Sequence, residues 1–94
     1  MFINRRTNKV KPWAMDELVK LTKAEFERIG SKGKIYTPYI GPYDVIVFDF
    51  EYESLEEYQK DWEEWFASPE AVEFLKKFNA LVESGGSNEL WYVE

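Results

Sequence analysis

The sequence predicts an α+β domain of ferredoxin-like order, βαββαβ, with the second helix broken at Ser68-Pro69. Three observations carry this. One run, residues 43–53, alternates apolar and other residues as a strand does. Two long segments repeat apolar residues at helical spacing. Turn residues punctuate the chain between them. This order gives a four-stranded antiparallel sheet, strand order 4-1-3-2, with the helices on one face.

Residues 2–8, FINRRTN, read as the first strand, although their alternation is imperfect. The helix that follows is expected over VKPWAMDELVKLTKAEFERIG, with Pro12 in its first turn and Gly30 as its stop. Its apolar face is Met15, Leu18, Val19, Thr22, Phe26 and Ile29. Residues 34–39 form the second strand. In the third, Ile46, Phe48, Phe50 and Tyr52 form one uniformly apolar face, turned to the helices; the other face begins with Val45 and Val47 and ends with Asp49 and Glu51.

Ser54 and Glu57 form an S-x-x-E capping box that opens the second helix, whose stripe is Leu55, Tyr58, Trp62, Trp65 and Phe66. Ser68 as N-cap and Pro69 at N1 restart it, with Ala71, Phe74, Leu75, Phe78, Leu81 and Val82 on one face. ESGGS reads as a loop and NELWYVE as the last strand. No repeat or second domain interrupts residues 1–94, which form one domain.

Between strands two and three lies IYTPYIGPYD, with three tyrosines, two prolines and one glycine in ten residues. Pro38 removes a donor at a strand end, and Gly41-Pro42 marks a turn. The plainest reading is a rigid hairpin loop. The functional alternative gives Tyr39 or Tyr43 a ligand contact.

Composition narrows the chemistry. There is no cysteine and no histidine. Thiolate chemistry, the usual neutral-pH base and the usual haem ligand are therefore missing. No cofactor is expected. A divalent metal held by carboxylates alone has only generic spacing to support it, so no metal site is assigned. No apolar run approaches the ~20 residues of a membrane span, and MFINRRTNK has no leader-like apolar core, so a cytoplasmic location is expected. Residues 1–34 carry nine Lys/Arg against four acids, and residues 35–94 three Lys against fourteen acids. The basic third should lie against the acidic remainder. A net charge of −6 disfavours nucleic acid as a partner. The strand order is also that of single-stranded RNA binders, but the third strand is acidic where theirs is basic.

Four Trp, six Tyr and seven Phe exceed what a small core needs, which points to an interface or a pocket. Val45, Val47, Trp91 and Val93 make the helix-free sheet face apolar. A second copy is the simplest cover, so a homodimer is expected.

TPYIGPYDVIVFDFEYESLEEY resembles the NIPSNAP-like members of the dimeric α+β barrel superfamily: a T-P-x-x-G loop, a hydrophobic strand, then S-L-x-E-Y opening a helix. VKP before a helix with MDEL, and the closing SNELWYVE, are similar too. Two features depart from the family pattern. Asn4 and Asn8 stand where a Glu-x-Arg-x-Tyr alternation has its Glu and Tyr, leaving only Arg6 in common. Trp13 replaces a glycine. The resemblance implies two sheets facing each other as a barrel around a pocket. It implies no particular reaction, since fold does not choose one.

Aligned with the family alternation, Asn4, Arg6 and Asn8 face the barrel beside Asp49 and Glu51 on one side and Glu89 and Trp91 on the other. Arg5 takes the place of Arg6 if the strand slips by one. The plain reading is a set of interface ion pairs. The functional reading is that one arginine cannot neutralise Asp49, Glu51 and Glu89, so that one of these carboxylates, its pKa raised, accepts a proton while Arg6 orients an anionic or carbonyl group. Tyr36, Tyr39, Tyr43, Asn4 and Trp91 complete the ligand-binding candidates. Trp62, Trp65 and Phe66 read as helix packing. The function expected is binding of a small organic molecule in an aromatic-lined barrel pocket. The alternative is a cofactor-independent monooxygenase or isomerase acting on an aromatic or polyketide-like substrate.

Overall fold

The computed structural model describes all of residues 1–94. The chain runs β1 (Phe2–Val10), α1 (Met15–Ile29), β2 (Lys34–Tyr36), β3 (Val45–Tyr52), α2 (Leu55–Phe66), α3 (Pro69–Leu81) and β4 (Val82–Tyr92). The antiparallel sheet has the order β2-β3-β1-β4, the expected order read from its other edge.

Local chemistry explains most boundaries. Ser54 accepts from the Glu57 N–H at 3.1 Å, and the Glu57 carboxylate accepts from the Glu53 N–H at 2.9 Å. The capping box thus reaches one residue further back than the usual form. Ser68 caps α3 by accepting from Ala71 N–H at 3.2 Å. Gly30 ends α1 in the left-handed region, at φ 67°, and Ser31 N–H closes back on the Phe26 carbonyl.

Three boundaries differ from expectation. Pro12 and Trp13 lie in a turn, closed by Ala14 N–H to the Lys11 carbonyl, and α1 starts only at Met15. Strand β2 stops at Tyr36, ahead of Pro38, which has no N–H to continue a ladder. The segment ESGGS belongs to β4 instead of forming a loop. Its register against β1 jumps between Thr7 and Lys9, and Gly85 and Gly86 take φ of 110° and 100° in the bulge. A side chain on Gly86 would strike the Thr7 carbonyl.

The core is Val10, Ala14, Leu18, Ile46, Phe48 and Leu81, between the helices and one face of the sheet. The even residues of β3 face it, as predicted. The basic third does lie against the acidic remainder, through β1 pairing and α1 packing, but a single ion pair, Arg5 with Asp49, crosses between them.

Candidate functional site

Cross-strand register fixes the face of every β1 side chain. Asn4 pairs with Phe50, Arg6 with Phe48 and Asn8 with Ile46, so all three point to the helices. This corrects the barrel-facing placement of Asn4, Arg6 and Asn8. The physical reason is Asn4, a polar side chain that is fully buried and hydrogen-bonded under the helices. Alternation of polarity therefore misreports the parity of this strand. Arg5 is the arginine that lies between Asp49 and Glu89 in register. It grips Asp49 through two bonds of 2.8 and 2.7 Å, and those bonds, with the Asp49 charge, raise its pKa further.

The helix-free face thus carries Arg5, Asp49, Glu51, Glu89, Tyr36, Val47 and Trp91. Trp91 is 56% exposed in the single chain. Tyr39 and Tyr43 are 98% and 93% exposed on the hairpin loop, away from the other candidates.

A cavity of about 850 Å³ lies on the opposite side, between the helices and the sheet. Its aromatic walls come from every layer: Phe26 on α1, Phe48 and Phe50 on β3, Trp62 and Trp65 on α2, Phe74 and Phe78 on α3. Their ring-to-ring contacts close into a circuit with centroid spacings of 5.4–6.2 Å. Strand β2 pairs β3 only as far as Asp49, so β3 beyond it is a free edge. The cavity lining also includes Ile3, Tyr36, Asp49 and Glu51, which the register places on the other face of the sheet. Glu89 and Trp91 are not part of it.

Arg6 enters the cavity with its guanidinium 3.7 Å from the centre of the Trp62 ring. Its Nε donates to Asn4 Oδ1 at 3.2 Å. Asn4 in turn donates to Asn88 Oδ1 at 2.7 Å and to the Glu89 carbonyl at 3.0 Å. Asn4 therefore holds Arg6 in place and has no donor left for a ligand. Arg6 forms no ion pair.

Two further groups complete the wall. Tyr52 donates to Asp61 Oδ2 at 2.6 Å; burial first, and that bond second, push its phenol well above the ordinary range. The buried Trp62 N–H lies beside the Tyr52 oxygen and works against this rise, although it makes no hydrogen bond of standard geometry. Glu25 accepts from Arg28 at 2.8 and 2.7 Å and from the Trp65 N–H at 2.8 Å. The Arg28 bonds lead in holding its carboxyl below the usual range, against the opposing effect of burial. No group of three or more His, Cys, Asp or Glu is placed to hold a metal ion. No helix is long and apolar enough to cross a membrane.

Trp62, Trp65, Phe74 and Glu25 were not among the sequence candidates. At helical spacing a cavity wall and a packed core look alike, and only the aromatic excess signalled more rings than a core requires.

Residues 3–92 match the family model described as NIPSNAP. No curated protein matches the chain. Among solved structures, a NIPSNAP family protein of unknown function from Agrobacterium tumefaciens strain C58 superposes with a TM-score of 0.83 at 25% identity, over 97% of this chain and 86% of that one. An uncharacterised NIPSNAP domain protein from Burkholderia xenovorans gives 0.85 at 17% identity, over 100% and 95%. An antibiotic biosynthesis monooxygenase gives 0.75 at 16% identity, over 100% and 99%, a likeness of fold alone.

Proposed function

The chain belongs to the NIPSNAP family, and from that premise we propose that it is a homodimeric binding domain. Its ligand is a small organic molecule held between helices and sheet. One observation carries the ligand reading: seven aromatic rings in a contact circuit wall a cavity of about 850 Å³. Ligand sites are typically apolar clefts of roughly 300–1,000 Å³ with a few placed polar groups. The pocket is thus assigned to each subunit's own helix–sheet layer, with the sheet's other face left for the partner copy. Val45, Val47 and Trp91 on that face support the pairing, since a stable interface buries about 800 Å² per partner and centres on such groups.

Tryptophan fluorescence tests the cleft. With Trp13 and Trp91 replaced by Phe, only the cleft indoles Trp62 and Trp65 report. Titration with 2-naphthol should quench them saturably, and Leu75→Phe, which narrows the cavity without adding an indole, should weaken that binding several-fold. Absence of saturable quenching sinks the ligand reading. Light scattering on the eluting protein tests the pairing separately: twice the mass of 11.2 kDa is expected, and a monomer at high micromolar concentration removes the dimer.

A second reading, an enzyme acting on an aromatic or polyketide-like substrate, is favoured by the Tyr52–Asp61 pair. A phenol that gives its proton to Asp61 can accept one from a bound substrate in the same motion. Tyr52→Phe should then abolish turnover and leave binding of the same compound within a few-fold.

A further inference from the structure

Resting on the cleft reading, the geometry points to a narrower class of occupant: a flat aromatic acid, its carboxylate held by Arg6 and its ring among the cleft aromatics. Arg6 is a cation without a carboxylate partner. Of its donors only Nε is used, on Asn4, so both terminal nitrogens have no protein acceptor. Stacking on Trp62 stabilises the guanidinium there and fixes its plane, which suits it to a planar, bidentate anion.

The acids around the cavity do not compete for Arg6. Glu25 is taken by Arg28 and Trp65, Asp49 by Arg5, Asp61 by the Tyr52 hydroxyl and Glu57 by the Glu53 N–H. Glu51 and Glu53 are exposed at the rim, which they share with Lys32 and Lys34.

Calorimetric titration with three probes of one shape decides the matter: 2-naphthoate, neutral 2-naphthamide and cationic 2-naphthylmethylammonium. Wild type should bind the naphthoate about tenfold or more tighter than the amide, the scale of a charge-assisted bond in a partly dry site. Arg6→Gln should erase that preference while keeping the amide affinity, which doubles as the check that the cleft has folded. Arg6→Lys keeps the charge but loses the planar fork; it should keep the amide affinity and lose several-fold of the preference, and this variant serves if Arg6→Gln does not fold. Equal binding of naphthoate and amide, or tighter binding of the ammonium, overturns the acid assignment and leaves the cleft reading intact. Failure of all three probes to bind overturns both.

Discussion

Arg5 and Arg6 are neighbours in sequence and opposites in circumstance. Arg5 lies on the helix-free face of the sheet, bonded twice to Asp49. Arg6 lies on the helix face, stacked on Trp62, bonded to an amide, and paired with no acid. One residue of strand parity separates an arginine whose charge is answered from one whose charge is spare. What decides between them is Asn4. Its amide bridges Arg6 to β4 from a fully buried position, so the strand presents a polar residue where an apolar one is expected.

The largest effect should come from testing the faces against each other at adjacent positions of β3. Phe48 is buried among Phe26 and Phe78 on the helix face, and Val47 is half-buried on the other. Phe48→Ala should cost about 3–5 kcal/mol of stability in urea denaturation, the usual range for emptying a core aromatic. Val47→Ala should cost below about 1.5 kcal/mol at concentrations where the protein is monomeric. A cost for Val47→Ala that matches Phe48→Ala under those conditions would mean the two faces are equally buried by the chain's own elements.

How much of this was legible in the sequence depends on which signal each feature left. The order of elements, the break at Ser68-Pro69 and the helix-facing set of β3 followed from period and cap chemistry, which act locally, and the strand order followed from the βαββαβ arrangement. The parity of β1 did not, because it is set by pairing with β3 and β4 across the fold, and Asn4 breaks the alternation that would reveal it. ESGGS carries a loop's composition, yet glycines at positive φ are also what a bulge in a strand requires. The helix–sheet cavity left no separate signal for a related reason. Trp62 and Trp65 stand at core spacing on α2, and only their neighbours in space, Arg6 and Glu25, mark them as cavity walls.

A smaller effect separates the buried acid of the helix face from exposed ones. The Glu25 carboxyl is held below its ordinary range chiefly by Arg28, with help from Trp65. In the unfolded chain it protonates near pH 4.3, and in the folded chain at lower pH. Its contribution is therefore complete above about pH 4.3 and is lost as pH falls through the folded value. Because Arg28 is open to solvent, which screens the pair, the effect should be small beside that of Phe48→Ala. Urea midpoints from pH 7 to pH 2.5 should show wild type above Glu25→Gln near neutrality, with the gap closing in acid. A gap that is constant across that range would remove the charge from the account.

The smallest effect at low concentration is also the most discriminating. Arg5 has 47% of its side chain exposed in the single chain, and pairs that open to water contribute about 0–1 kcal/mol. Arg5→Gln should therefore barely move the urea midpoint of a dilute sample. If a second copy covers the helix-free face, the same substitution leaves Asp49 dehydrated with its ion pair gone, a change on the order of 3–5 kcal/mol. That cost belongs to the dimer, so it should emerge as protein concentration rises and appear as weakened association in sedimentation equilibrium. The double variant Arg5→Gln/Asp49→Asn should recover most of it, since the uncompensated charge is then gone. A cost that stays below about 1 kcal/mol at every concentration would place the Arg5–Asp49 pair in solvent and deny that face to a partner.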